Sequence, residues 1–226
     1  MKTHLDEELQ LLKNELIEMW LLVKNQLAKA KQALTTVDKD LAREVIAAEK
    51  RVNARELNID KDCENIFALF NPLAVDLRMV LAVLKINSNL ERTGDFAEGI
   101  ARFVVDIDHS FDRNLLDITK ILDMFDENET MLIELIDAFE KEDGIGARKI
   151  FKRDEFLDTI NHQATFAIAD YIRQHPQNAE QALQILSIIR KLERVGDQSK
   201  NIAEEIIFYT EAKILKHHSK ADKQKK

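Results

Sequence analysis

Two carboxylates four residues apart, Glu91 and Asp95, recur as Glu193 and Asp197. Their surroundings recur with them: residues 90–103 read L-E-R-T-G-D-F-A-E-G-I-A-R-F and residues 192–205 read L-E-R-V-G-D-Q-S-K-N-I-A-E-E, at a constant offset of 102 (193 − 91). Arg92 and Gly94 thus return as Arg194 and Gly196. Residues four apart on a helix share a face, so each phrase presents a small acidic face. Upstream, Glu49 and Asn53 have the same spacing, and at an offset of 105 they correspond to Asp154 and Asp158. Clustered carboxylates raise one another's pKa unless a cation neutralises them, so such a set invites a metal. Oxygen-only ligation suits magnesium, manganese or calcium by hardness, and iron or zinc also bind this way. The competing reading is ordinary salt bridging, with Arg92, Arg194 and nearby lysines pairing the acids.

Long helices must position these groups. From Leu5 to Leu34 apolar residues recur at steps of three and four, which predicts one amphipathic helix. Asp38 reads as the N-cap of a second helix that runs to about Phe70, where Asn71-Pro72 ends it. A third helix, about Ala74 to Val105, carries Asp76 and Arg78 near its start and the first acidic phrase near its end. Residues 106–114 are polar and break the periodicity as a linker. The plan then repeats, with helices from about Leu115 to Lys141 and Ala147 to Gln174, and a last helix opened by His175-Pro176. Residues 142–146, with two glycines, read as the turn between the first two of these. The expected architecture is all-α: two tandem three-helix bundles with an internal repeat, over residues 1–110 and 111–215, and a disordered basic tail at 216–226. Gly94 and Gly196 each cost their helix about 1 kcal/mol relative to alanine, so something there requires a missing side chain. A close helix crossing or space beside the carboxylates would each account for it.

Composition narrows the function. Five glycines and two prolines, with 45% hydrophobic and 33% charged residues, describe an almost wholly helical protein. The single cysteine, Cys63, forms no internal disulfide and reads as a small core residue of a reducing compartment. No signal-like apolar stretch and no transmembrane window is seen, so a cytoplasmic protein is expected. Net charge is −8; residues 213–226 hold six lysines and one aspartate, which leaves −13 on the rest, a poor surface for nucleic acid. The tail reads as a solvated end, with attraction to an anionic membrane as the sharper alternative. Catalysis finds little support: there is no P-loop, and Asp106-x-x-His109 is the nearest approach to a di-iron Glu-x-x-His pair. His162 reads as a half-buried packing residue.

The phrases A-V-D-L-R (74–78), L-E-R-T-G-D (90–95) and L-E-R-V-G-D-Q-S-K-N-I-A-E (192–204), on a duplicated three-helix plan, resemble the PhoU family of phosphate-transport accessory proteins. The resemblance spans about residues 5–212. It implies a cytoplasmic, usually dimeric regulator that is not an enzyme. It also implies negative action on the ATPase of an ABC-type phosphate permease and on a sensor histidine kinase, with membrane contact only through these partners. It further implies multinuclear clusters of divalent or trivalent metal (iron, zinc, manganese or magnesium), with Glu49, Glu91 and Asp95 as ligands in one half and Asp154, Asp158, Glu193 and Asp197 in the other. Asn53 stands where the second half has Asp158, and Gly99 where it has Asn201. Both departures remove ligand capacity, so the first-half site is expected to be the weaker. Two other readings use the same acids: a metal-free helical scaffold that binds a basic partner, and a carboxylate-metal phosphohydrolase.

Overall fold

The computed structural model describes residues 3–107 and 110–212, and the basic tail and His109 lie outside them. Seven α-helices follow in order, with no strand among the described residues: α1 (His4–Thr36), α2 (Lys39–Phe70), α3 (Val75–Asp106), α4 (Arg113–Thr119), α5 (Ile121–Glu140), α6 (Gly144–Gln174) and α7 (Ala179–Glu211). Local chemistry sets most of the boundaries. Thr3 and Asp6 form a reciprocal capping box at the start of α1. The Asp38 carboxylate accepts from the amides of Asp40 and Leu41 at the start of α2. Asn71, left-handed at φ 46°, ends α2. Pro176 opens a short 3₁₀ turn before α7, so both prolines mark equivalent boundaries.

The expected fourth helix is broken. Lys120 is left-handed at φ 53° and separates α4 from α5. A straight helix would place Leu115 and Ile121 about 120° apart around its axis, yet both are fully buried. The break lets both residues reach the core, and the Thr119 hydroxyl closes the end of α4 on the Leu115 carbonyl at 2.7 Å. The two glycines at residues 144 and 146 are not turn residues either, because α6 already begins at Gly144. A Cβ at Gly144 would stand 2.6 Å from Glu211 Oε1, so that glycine makes room for the end of α7.

Helices α1, α2 and α3 pack together, as do α5, α6 and α7, and the two bundles join along α3 against α7 and α1 against α5. Lys85 meets Glu205, Asn89 meets Asn201, and Gly99 lies against Lys191, so α3 and α7 run antiparallel. Where α1 meets α5, Trp20 packs on Phe139 with ring centroids 6.1 Å apart. Cys63 is buried and its thiol is pushed up to about 12, chiefly by burial. Among the described residues no helix is long and apolar enough to cross a membrane.

Candidate metal centre

In α2 the buried residues run Ala42, Val45, Glu49, Val52. Steps of three and four place Glu49 on the core stripe, and only 6% of it is exposed. Helix α3 lays Glu91 and Asp95 beside it, and one oxygen from each of the three carboxylates lies within 4.8 Å of the others. The buried Gly94 leaves the necessary space, because a Cβ there would stand 3.0 Å from Glu49 Oε2 and 3.2 Å from Gln26 Oε1. From α1, Gln26 donates its amide to Glu49 Oε2 at 3.2 Å and to the Val45 carbonyl at 3.3 Å. That leaves Glu49 Oε1 and Gln26 Oε1 buried with no hydrogen-bond partner.

The electrostatics follow from this packing. Burial pushes Glu49 up to about 7, and the charges of Asp95, Glu98 and Glu91 add to it against the opposing Gln26 bond. Glu91 also rises to about 7, from burial first and then from Asp95 and Glu56. Asp95 is raised by burial and by Glu98, while Lys191 of α7 opposes the shift. Three crowded carboxylates with an orphaned buried oxygen are chemically suited to a hard or borderline cation.

The second half builds the same frame and fills it differently. In α6 the buried run is Ala147, Ile150, Asp154, Leu157, which places Asp154, 4% exposed, where α2 has Glu49. A Cβ at Gly196 would stand 2.5 Å from Leu157 Cδ1 and 3.1 Å from Asp154 Oδ1. However, among the described residues no three acids of this half converge as those of the first half do. Instead the Lys200 ammonium donates to Asp154 Oδ2 at 2.6 Å and to Asp197 Oδ1 at 2.7 Å. Burial works to lower the lysine pKa, but these two bonds outweigh it and hold Lys200 above its ordinary value. Burial raises Asp154 despite Lys200, and Glu193 is raised by burial and by Asp197, Asp158 and Asp154.

The remaining predicted site residues lie outside these sets, except that the charge of Asp158 still reaches Asp154 and Glu193. Asn53 and Asp158 are exposed on α2 and α6, and Arg92 and Arg194 are exposed on α3 and α7. Arg92 and Arg194 act on Glu91 and Glu193 only as opposing charges. Asn201 leaves the acidic face altogether and donates to Asn89 across the two bundles at 3.2 Å. Gly99 lies under the Lys191 side chain of the other bundle, whose Nζ would stand 2.8 Å from a Cβ there. Tyr209 is raised chiefly by burial and by Glu142, with Asp76 adding the least, and Arg78 Nε is buried without a hydrogen-bond partner. His162 is exposed rather than half-buried, edge-on to Phe166. The expected ranking of the two halves is reversed in geometry: the convergent acids are in the first half and the lysine-filled set is in the second. Gln26, Glu98 and Lys200 were missed by sequence reasoning. The exchange of Glu98 for Lys200 lies in plain view in the repeated phrase, one helical turn after each aspartate.

A duplicated all-α protein that sets an acidic face on the third helix of each bundle is the class this architecture defines. The PhoU domain profile matches residues 16–104 and again 121–206, and the chain belongs to the PhoU family. It is 31% identical over 216 residues to the phosphate-specific transport system accessory protein PhoU homolog 1 of Thermotoga maritima, covering 94% of this chain and 91% of that protein. It is 30% identical over 211 residues to the PhoU accessory protein of Escherichia coli, covering 93% and 86%. The crystal structure of PhoU from Pseudomonas aeruginosa superposes with a TM-score of 0.83 at 29% identity, covering 92% of this chain and 99% of that one. The phosphate transport system regulatory protein PhoU from Streptococcus pneumoniae superposes with a TM-score of 0.85 at 27% identity, covering 94% and 99%.

Proposed function

We propose that this chain is the accessory regulator of a phosphate-specific transport system. It acts negatively, when phosphate is plentiful, on the ATPase subunit of an ABC-type phosphate transporter and on a phosphate-sensing histidine kinase. The working form is a cytoplasmic homodimer that reaches the membrane only through these partners. The designations shared by its relatives, over nearly the whole chain, support the transport role. A regulatory part, rather than a catalytic one, accords with the accessory-protein designations of these relatives.

Metal binding forms part of this reading, and it rests on Glu49. Its buried, unpaired Oε1 sits in a group of three converging carboxylates, and leaving such an oxygen unsatisfied is costly. Glu49, Glu91 and Asp95 would hold a divalent or trivalent ion (iron, zinc, manganese or magnesium), which would supply the positive charge that ties α2 to α3. Gln26 orients Glu49 by fixing Oε2, and Gly94 keeps the space beside it open.

The regulatory role is tested in cells by deleting the gene in phosphate-rich medium. Phosphate-responsive genes are expected to be derepressed and to return to repression when the gene is restored. Unchanged expression would overturn the reading.

A further inference from the structure

We infer that the second acidic motif of this chain is closed to metal and that Lys200 is its resident cation. The inference rests on the metal reading of the first motif for its contrast, but its own evidence lies in the second. At equivalent positions of the repeat, one turn beyond each aspartate, the first half has Glu98 and the second has Lys200. Glu98 adds negative charge beside Asp95 and pairs with Arg102 at 2.6 Å. Lys200 reaches back and bridges Asp154 and Asp197, at 2.6 and 2.7 Å. These are the two carboxylates, one from each helix, that an ion joining α6 to α7 would need.

Charge and space argue the same way. An ammonium bonded to two carboxylates cancels one of their two negative charges and occupies the oxygens that a metal would need. A metal would also have to expel it into the neighbourhood of Glu193 and Asp158 at the cost of two charge-assisted bonds. Asp154 is 4% exposed, so its bond to Lys200 is poorly replaced by water. The two halves therefore solve the same problem differently, with an imported cation in one and a covalently attached cation in the other.

The test is calorimetric titration of the full-length protein with Mn²⁺, using wild type, Lys200→Glu, the milder Lys200→Gln, and Asp154→Asn/Asp197→Asn. Each variant is first checked for cooperative unfolding. Asp154→Asn/Asp197→Asn is expected to bind as much Mn²⁺ as the wild type. Lys200→Glu is expected to gain binding, approaching a doubling of the Mn²⁺ held per chain. Loss of wild-type Mn²⁺ in the double asparagine variant would overturn the inference, as would wild-type stoichiometry in folded Lys200→Glu and Lys200→Gln. A wild type that binds nothing beside a Lys200→Glu protein that does bind would uphold the closed second motif and defeat the metal reading of the first.

Discussion

The two halves share a frame and differ in how its buried charge is met. In each, an acid stands on the core stripe of the second long helix, a glycine of the third leaves it room, and an aspartate follows that glycine. In the first half the acids face one another and two of them are held near 7. In the second, one lysine closes the set. A duplicated motif therefore repeats the helical frame but not the arrangement of the acids on it. A single side chain one turn beyond the motif decides which chemistry follows.

The largest effect that would break this contrast is expected at Lys200. Lys200→Met strands Asp154 in the core without its counter-ion. It should cost about 3 kcal/mol in denaturant unfolding at pH 8, near the low end for a broken buried pair because the lysine is partly exposed. The loss should shrink on acidification, as the carboxylates take up protons.

The pH dependence of the metal-free protein sharpens the contrast next. Glu49 has a folded pKa of about 7 and an ordinary value near 4.5 when unfolded, so the native state holds more protons between those limits. Stability is greatest below the lower value and falls as pH rises through the upper one, by on the order of 3 kcal/mol for this group. Saturating metal should flatten that slope. A metal-free protein whose melting temperature does not fall between pH 5 and pH 8 would contradict the assignment.

The smallest effect is expected at Asn201. Asn201→Ala loses one neutral bond to Asn89, worth about 1 kcal/mol, and should leave metal content unchanged. A loss of metal in that variant would return Asn201 to the ligand set.

Much of this was legible in the sequence, and the remainder has physical reasons. Capping and periodicity located the long helices, because Asp38 and the apolar steps of α1 are local signals. The break at Lys120 was not legible, since it answers a tertiary demand to bury both Leu115 and Ile121. The acids on the core stripes were visible as acids at apolar positions. Their convergence in one half and not the other was not, because it depends on where the Lys200 chain folds. Gln26 gave no local sign of its role, since one amide on an amphipathic helix looks like any other polar residue. That Lys191 crosses Gly99 was not legible either, because it belongs to a helix of the other bundle.

Elemental analysis tests the central claim most directly. The protein is purified without chelator or histidine tag and compared with Glu91→Ala/Asp95→Ala and Glu193→Ala/Asp197→Ala. Bound metal that disappears in the first variant and persists in the second is the predicted result. Metal that survives the first variant and disappears in the second would contradict it.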